Sequence, residues 1–190
     1  MSRSFDSGDT WEQTSLRVSP NHIISATFPQ IDAGDAGRVA IAYLGSPDKW
    51  LLDEPGLDGD PWDGDAHYAP DNATYFLYVS ISTNADTAEP MWETIQLTDD
   101  PVQVGSICLS SGDCRNIGGS NRNLLDFNDL TLGPDGRIYI AYADGCTDNI
   151  ESKPCASEPD SWVAENSRDR RGMVAIQTSG PSLFADIEIE

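Results

Sequence analysis

The chain has 190 residues, 38% hydrophobic and 23% charged, enough to bury one substantial core. With 32 acidic against 11 basic residues, and only Lys49 and Lys153 as lysines, its formal charge is −21, which repels phosphate backbones and anionic membrane surfaces and so argues against a nucleic-acid partner. No apolar run approaches the ~18 residues of a membrane-spanning helix, and polar residues follow Met1 directly, where a signal peptide would be apolar.

The 16 glycines and 12 prolines suit a turn-rich, all-β protein. Acidic charge spread over a surface keeps a protein soluble at high salt, where screening removes most self-repulsion, so the composition fits a halophilic or marine source. Residues 4 to 11, Ser4-Phe-Asp6-Ser-Gly8-Asp-Thr10-Trp11, fill every fixed position of the pattern Ser-x-Asp-x-Gly-x-Thr-Trp. The chemistry is that of a tight hairpin. Ser4 and Asp6 hydrogen-bond the turn's own backbone, Gly8 supplies positive φ, and Trp11 opens the returning strand with its ring packed beneath the turn.

Strands are expected near 12 to 18, 25 to 33, 37 to 44, 73 to 83, 92 to 98, 124 to 132, 137 to 143, 171 to 178 and 182 to 189. Two stretches repeat at an offset of 99 residues: Phe28 to Tyr43 and Phe127 to Tyr142, each a strand, a glycine-containing turn, an arginine and a second strand. Val39, Ile41 and Tyr43 alternate as Ile138, Ile140 and Tyr142 do, so both tyrosines are expected to be buried. A second echo, at an offset of 81, sets Trp11-Glu-Gln-Thr-Ser-Leu16 against Trp92-Glu-Thr-Ile-Gln-Leu97. The turn from Ser82 through Asp86 therefore reads as a degenerate form of the Ser4 to Trp11 hairpin.

Three long connections, 45 to 72, 99 to 123 and 144 to 170, all leave from the end of the sheets opposite the short turns, and connections of that length are uncommon unless functional. In the first, Asp53, Glu54, Asp58, Asp60, Asp63 and Asp65 stand with no base among them. The carboxylates of Asp58, Asp60, Asp63 and Asp65 are spaced as oxygen ligands of calcium often are, without the full EF-hand pattern. A merely solvated acidic loop is the other, commoner reading. Trp50, Trp62, His67 and Tyr68 flank the acids, an arrangement that suits a sugar ring stacked on indole with its hydroxyls on carboxylates.

Four cysteines form two local pairs in sequence, Cys108 with Cys114 and Cys146 with Cys155. Neither spacing is that of a zinc site, and two short-loop disulfides in an oxidising compartment are expected over free thiols, with three connectivities open. Asp144, before Cys146, is a candidate for ligand binding or for capping its loop. The cluster Arg168 to Arg171 reads as a solvated group opening a strand. Asn72-Ala-Thr74 fits a glycosylation sequon, a short and common pattern.

The Ser4 to Trp11 pattern is that of an Asp-box, or BNR repeat, and the segment resembles the sialidase-like β-propellers, in which Asp-boxes sit between the third and fourth strands of blades. The stretch from Asp100 through Arg122-Asn-Leu-Leu-Asp126-Phe and Gly133-Pro-Asp-Gly-Arg137 to Cys146 looks similarly like later blades of secreted bacterial and archaeal sialidase-family proteins. That resemblance implies an all-β, partial propeller of four-stranded antiparallel blades, about two and a quarter in number. Residues 1–18 would end a preceding blade, 19–98 form a full blade, and 99–190 form another with the long disulfide-bearing loops. It also places the substrate end at the long loops, with Arg122 and Asp126 facing the channel mouth as candidate catalytic or ligand-contacting residues; an ion pair or turn cap is their alternative.

Catalytic sialidases use three arginines for the substrate carboxylate, an Asp acid and a Tyr nucleophile activated by Glu. The Phe/Tyr-Arg-Ile-Pro motif is absent, and no arginine triad or Tyr–Glu pair is complete. The resemblance thus implies a portion of an extracellular or cell-surface glycosidase-type propeller that acts on or binds glycan or glycoprotein, without competence alone and with no cofactor required; calcium in the acidic loop is a reading of the carboxylate spacing alone. The portion's partners would be further blades of a longer chain, or other copies. A noncatalytic glycan- or protein-binding propeller and a cell-surface structural module are the alternatives.

Overall fold

The computed structural model describes residues 1–47, 73–105, 107, 124, 128–146 and 171–189. Among the described residues there is no helix, and every strand pairing is antiparallel. The first sheet takes β1 (Ser25–Ala33), β2 (Val39–Ser46), β3 (Thr74–Ser82) and β4 (Glu93–Gln96) in chain order, and the second takes β6 (Asp129–Leu132), β7 (Ile138–Asp144) and β8 (Arg171–Ile176). Between them, β5 (Gln103–Val104) returns to pair with the start of β3. Neighbours in sequence are thus neighbours in space, as short turns at one end of a meander require.

Alternation decides which residues face where. Ala40, Ala42 and Leu44 on β2, with Leu77, Val79 and Ile81 on β3, pack against Leu130, Ile138 and Ile140 of the second sheet to form the main core. On the other face of the first sheet, Ile41, Tyr43 and Tyr78 pack with Ile23 and with Met1 and Val18 from the N-terminal segment. Tyr43 and Tyr78 are directly opposed across the β2–β3 ladder and stack at 5.8 Å. Within β1, Phe28 and Pro29 together oppose one residue of β2, a bulge at which Phe28 takes φ 53° and proline's missing N–H removes no ladder bond.

The repeat seen in the sequence is a repeat in structure. Gly34 N–H donates to Arg38 O at 3.0 Å and Gly133 N–H to Arg137 O at 2.9 Å, and Gly37 and Gly136 both hold φ 76°, a conformation that favours glycine.

Three expected features differ. Residues 12 to 18 form no strand. They bond to residues 1–3, through Glu12 N–H to Arg3 O at 2.9 Å and a reciprocal pair between Met1 and Leu16 at 2.7 and 2.8 Å, and the Arg17 guanidinium donates to Ser19 O, Pro20 O and Ile23 O. With so little sheet beneath it, Trp11 is 61% exposed instead of packed under its turn, whereas its counterpart Trp92 lies partly buried against the first sheet. Residues 182 to 189 also form no strand; they lie as a strap across the β1–β2 turn. Asp35 N–H donates to Leu183 O at 2.9 Å, the Asp35 carboxylate accepts Ala185 N–H at 2.6 Å, and Arg38 donates to Ser182 O at 2.6 Å. Leu183 is thereby fully buried, worth about 1.5–3 kcal/mol for a side chain of its size. Tertiary bonds to the first sheet replace the ladder that the strap would have made beside β8.

Candidate functional site

The two ends of the sheets are built differently. At the turn end, Ser4 and Asp6 organise their hairpin: Gly8 N–H donates to Ser4 Oγ at 2.8 Å, and Asp6 accepts the Thr10 N–H at 2.8 Å and the Thr10 hydroxyl at 2.6 Å. Ser7 at φ 62° and Gly8 at φ 94° complete the reversal. Hydrogen bonds from Thr10 and Ser4 hold the Asp6 carboxyl below the usual carboxylate range. The turn from Ser82 repeats the pattern: Ser82 Oγ donates to Asn84 Oδ1 and accepts from Asn84 N–H, each at 3.2 Å, and Met91 N–H donates to Asn84 Oδ1 at 2.8 Å. Arg3 joins the two turns, donating to Ala85 O at 2.9 Å and Thr87 O at 2.5 Å while pairing with Glu12 at 2.6 Å. Ala85 N–H in turn donates to Gly37 O at 2.8 Å. This end is closed by its own bonds.

At the opposite end, where β2 ends, β3 begins and β7 ends, polar residues enter the interior. Ser25 faces Ser46 across β1–β2, Tyr75 faces Gln103 across β3–β5, and continuing the β2–β3 register sets Ser46 opposite Tyr75. This row lies on the face that carries Leu44 and Leu77, towards the second sheet. Ser25 Oγ and Tyr75 OH share a hydrogen bond of 3.4 Å, and Gln103 donates to Val104 O at 3.1 Å. Ser46 Oγ, and Asn128 Nδ2 just before β6, are buried with no hydrogen-bond partner among the described residues.

Asp144 continues the β7 row of Ile138, Ile140 and Tyr142, so alternation turns it towards the first sheet. Partial burial pushes its carboxyl above the usual range; the Cys146 N–H, donating at 2.9 Å, opposes that shift, the Asp100 carboxylate adds to it, and Arg171 opposes it. Gly145 N–H donates to Val102 O at 2.9 Å, fastening the end of β7 to the segment before β5. Cys146 is disulfide-bonded, with its partner outside the described residues. Such a carboxyl, carried on a rigid strand end beside a second carboxylate and an arginine, can accept hydroxyl hydrogen bonds or, protonated, donate one.

Of the residues singled out from sequence, Ser4, Asp6, Gly8, Thr10 and Trp11 lie together at the turn end, and Asp144 and Cys146 at the other. Arg122, Asp126, Trp62, His67, the Asp58, Asp60, Asp63 and Asp65 set, and Cys108, Cys114 and Cys155 lie outside the described residues. The buried polar row of Ser25, Ser46, Tyr75 and Gln103 was not anticipated; its signal is the polar residue that ends each apolar alternation at the long-connection end. Tyr43 is buried and hydrogen-bonded to Ser80 at 3.2 Å, and Tyr142 is half-buried. Burial pushes both phenols up, and the Asp144 charge raises Tyr142 further, so neither is poised as a nucleophile.

A cleft of about 290 Å³ opens between β4 and β8, but Val79, Ile95, Leu97, Ile140 and Ala175 make it chiefly apolar. No helix among the described residues is long and apolar enough to cross a membrane. No family model matches the chain, and comparisons with curated proteins and with solved structures find no match.

Proposed function

We propose that this chain is a portion of an extracellular or cell-surface, sialidase-like β-propeller that binds or acts on glycans through its long-connection end, and that it is not a competent glycosidase alone. The observation that carries this reading is the Asp-box bonding of Ser4, Asp6, Gly8 and Thr10, repeated at Ser82, Asn84 and Met91 in the β3–β4 turn of the first antiparallel meander. A propeller of about four or more blades would place each meander as a blade. Asp144 would then stand at the mouth between two blades, with Arg122 and Asp126 contributed to the same mouth and Trp62 and His67 offered to a sugar ring. The disulfide at Cys146 supports an oxidising compartment, and the acidic surface supports work at high salt. Calcium on Asp58, Asp60, Asp63 and Asp65 belongs to the same proposal.

A noncatalytic binding module is the second reading. The burial of Tyr43 and its hydrogen bond to Ser80 favour it, since they leave that phenol no access to a substrate.

Glycan-array binding by the folded chain tests the first reading. Binding is expected, reduced at least tenfold by Arg122→Ala or Asp144→Ala, with no turnover of sialoside substrates. A folded chain that retains no glycan sinks the carbohydrate reading and leaves a protein-binding or structural module.

A further inference from the structure

The second sheet carries on its outer side a surface whose counterpart in the first sheet is buried. Across the ladders, β8 sets Val174 opposite Ala141 and Ile176 opposite Tyr139, as β3 sets Val79 opposite Ala42 and Ile81 opposite Ala40. The 99-residue repeat maps Ala42 onto Ala141 and Ala40 onto Tyr139. Val174 and Ile176 therefore occupy the seats of Val79 and Ile81, with the same residue types. Beneath the second sheet, Val79 and Ile81 are 4% and 5% exposed, whereas Val174 and Ile176 are 62% and 52% exposed.

What covers the buried pair is the Ile138 and Ile140 face of the second sheet, and the repeat maps those residues onto Val39 and Ile41 of the first. On that side of the first sheet, Ile31, directly opposite Ile41, is 57% exposed. The N-terminal segment covers only part of this face and adds Phe5 and Trp11 as further exposed apolar side chains. One molecule thus displays one half of an interface that it already makes internally and, at Ile31, the open margin of the other half, whose Ile41 is buried with Met1 and Val18 packed on it.

We propose that copies of this chain associate head to tail, the Ala141, Val174 and Ile176 face of one seating on the Ile31 side of the next. The contact continues the sheet-on-sheet packing within each copy, and it is heterologous: the two copies use different surfaces, so successive copies close a ring or extend a row. The charge of −21 opposes association in dilute salt, and screening relieves that opposition. The two surfaces follow from the repeat and not from sugar chemistry, so association is expected whether or not the long-connection end binds glycan.

Sedimentation velocity of the 190-residue chain, over a range of concentrations at low and high salt, tests this directly. Dimers or larger species are expected, favoured by salt; a monomer under every condition overturns the proposal. The neutral double variant Val174→Gln with Ile176→Gln and the single variant Ile31→Gln alter exposed residues, and circular dichroism checks their folding. Each alone should sediment as monomer where the parent associates, while an equal mixture should regain a dimer and nothing larger, because one intact face of each kind remains. Undiminished association of the single-face variants, or a mixture that stays monomeric, overturns the head-to-tail arrangement.

Discussion

Asp6 holds Thr10 with both carboxylate oxygens, Oδ1 accepting the backbone N–H at 2.8 Å and Oδ2 the hydroxyl at 2.6 Å. In the second turn, Asn84 makes only the backbone half of that clasp, to Met91, because methionine has no hydroxyl to offer. The same turn is thus built twice with different strength.

Asp6→Ala should free the Thr10 amide, read as faster hydrogen exchange at Thr10 with little change in β2 or β3. Because Asp6's folded carboxyl is lowered, its stabilisation is fully present above the ordinary carboxylate pKa of about 3.9 and is lost as pH falls through the depressed folded value. An acid titration of Asp6 by NMR with a midpoint at or above that ordinary value would contradict the clasp.

Leu183→Ala should loosen the strap from the β1–β2 turn. A fully buried leucine truncated to alanine costs about 2–5 kcal/mol, or about 5–15 °C of melting temperature for a chain of this size. Asp35→Ala removes the acceptor for Ala185 N–H and should lower the melting temperature in the same direction by less. Unchanged melting of Leu183→Ala would show that the strap is not seated in solution.

Asp144 gives a pH dependence of the opposite sign to Asp6. Its carboxyl is raised by burial, so its cost to folding is absent below about pH 4, grows as pH rises through the folded value, and is full above it. Asp144→Asn keeps an acceptor for the Cys146 N–H and removes the charge. The variant should melt higher than the parent at pH 7, with the difference vanishing near pH 4; equal melting at both pH values would contradict the burial.

Arg3→Ala should detach the N-terminal hairpin, since one guanidinium binds Glu12, Ala85 O and Thr87 O. Limited proteolysis within residues 1–18 is the measure, and cleavage should become markedly faster while the β2–β3 core stays protected.

Calcium titration calorimetry, after stripping with EDTA, tests the acidic segment. Heat that is lost when Asp60 and Asp63 are changed to Asn supports a site; no heat in the stripped parent removes it.

Local patterning alone sets the strands and the turns. Strands β1, β2, β3 and β7 lie where alternation puts them, and the Asp6 and Asn84 turns bond as their residues dictate, because period-two patterning and hydrogen bonds within a few residues need no distant partner. Tertiary structure decided what depends on a neighbour. Trp11 is exposed and Trp92 partly buried although their local sequences echo each other, because only Trp92 has a sheet to lie on. Residues 182 to 189 alternate like a strand yet become a strap, since Asp35 and Arg38 offer bonds from another sheet. Asp144 reads as one acid among many, and its raised carboxyl exists only because the second sheet packs that end of β7 against the first.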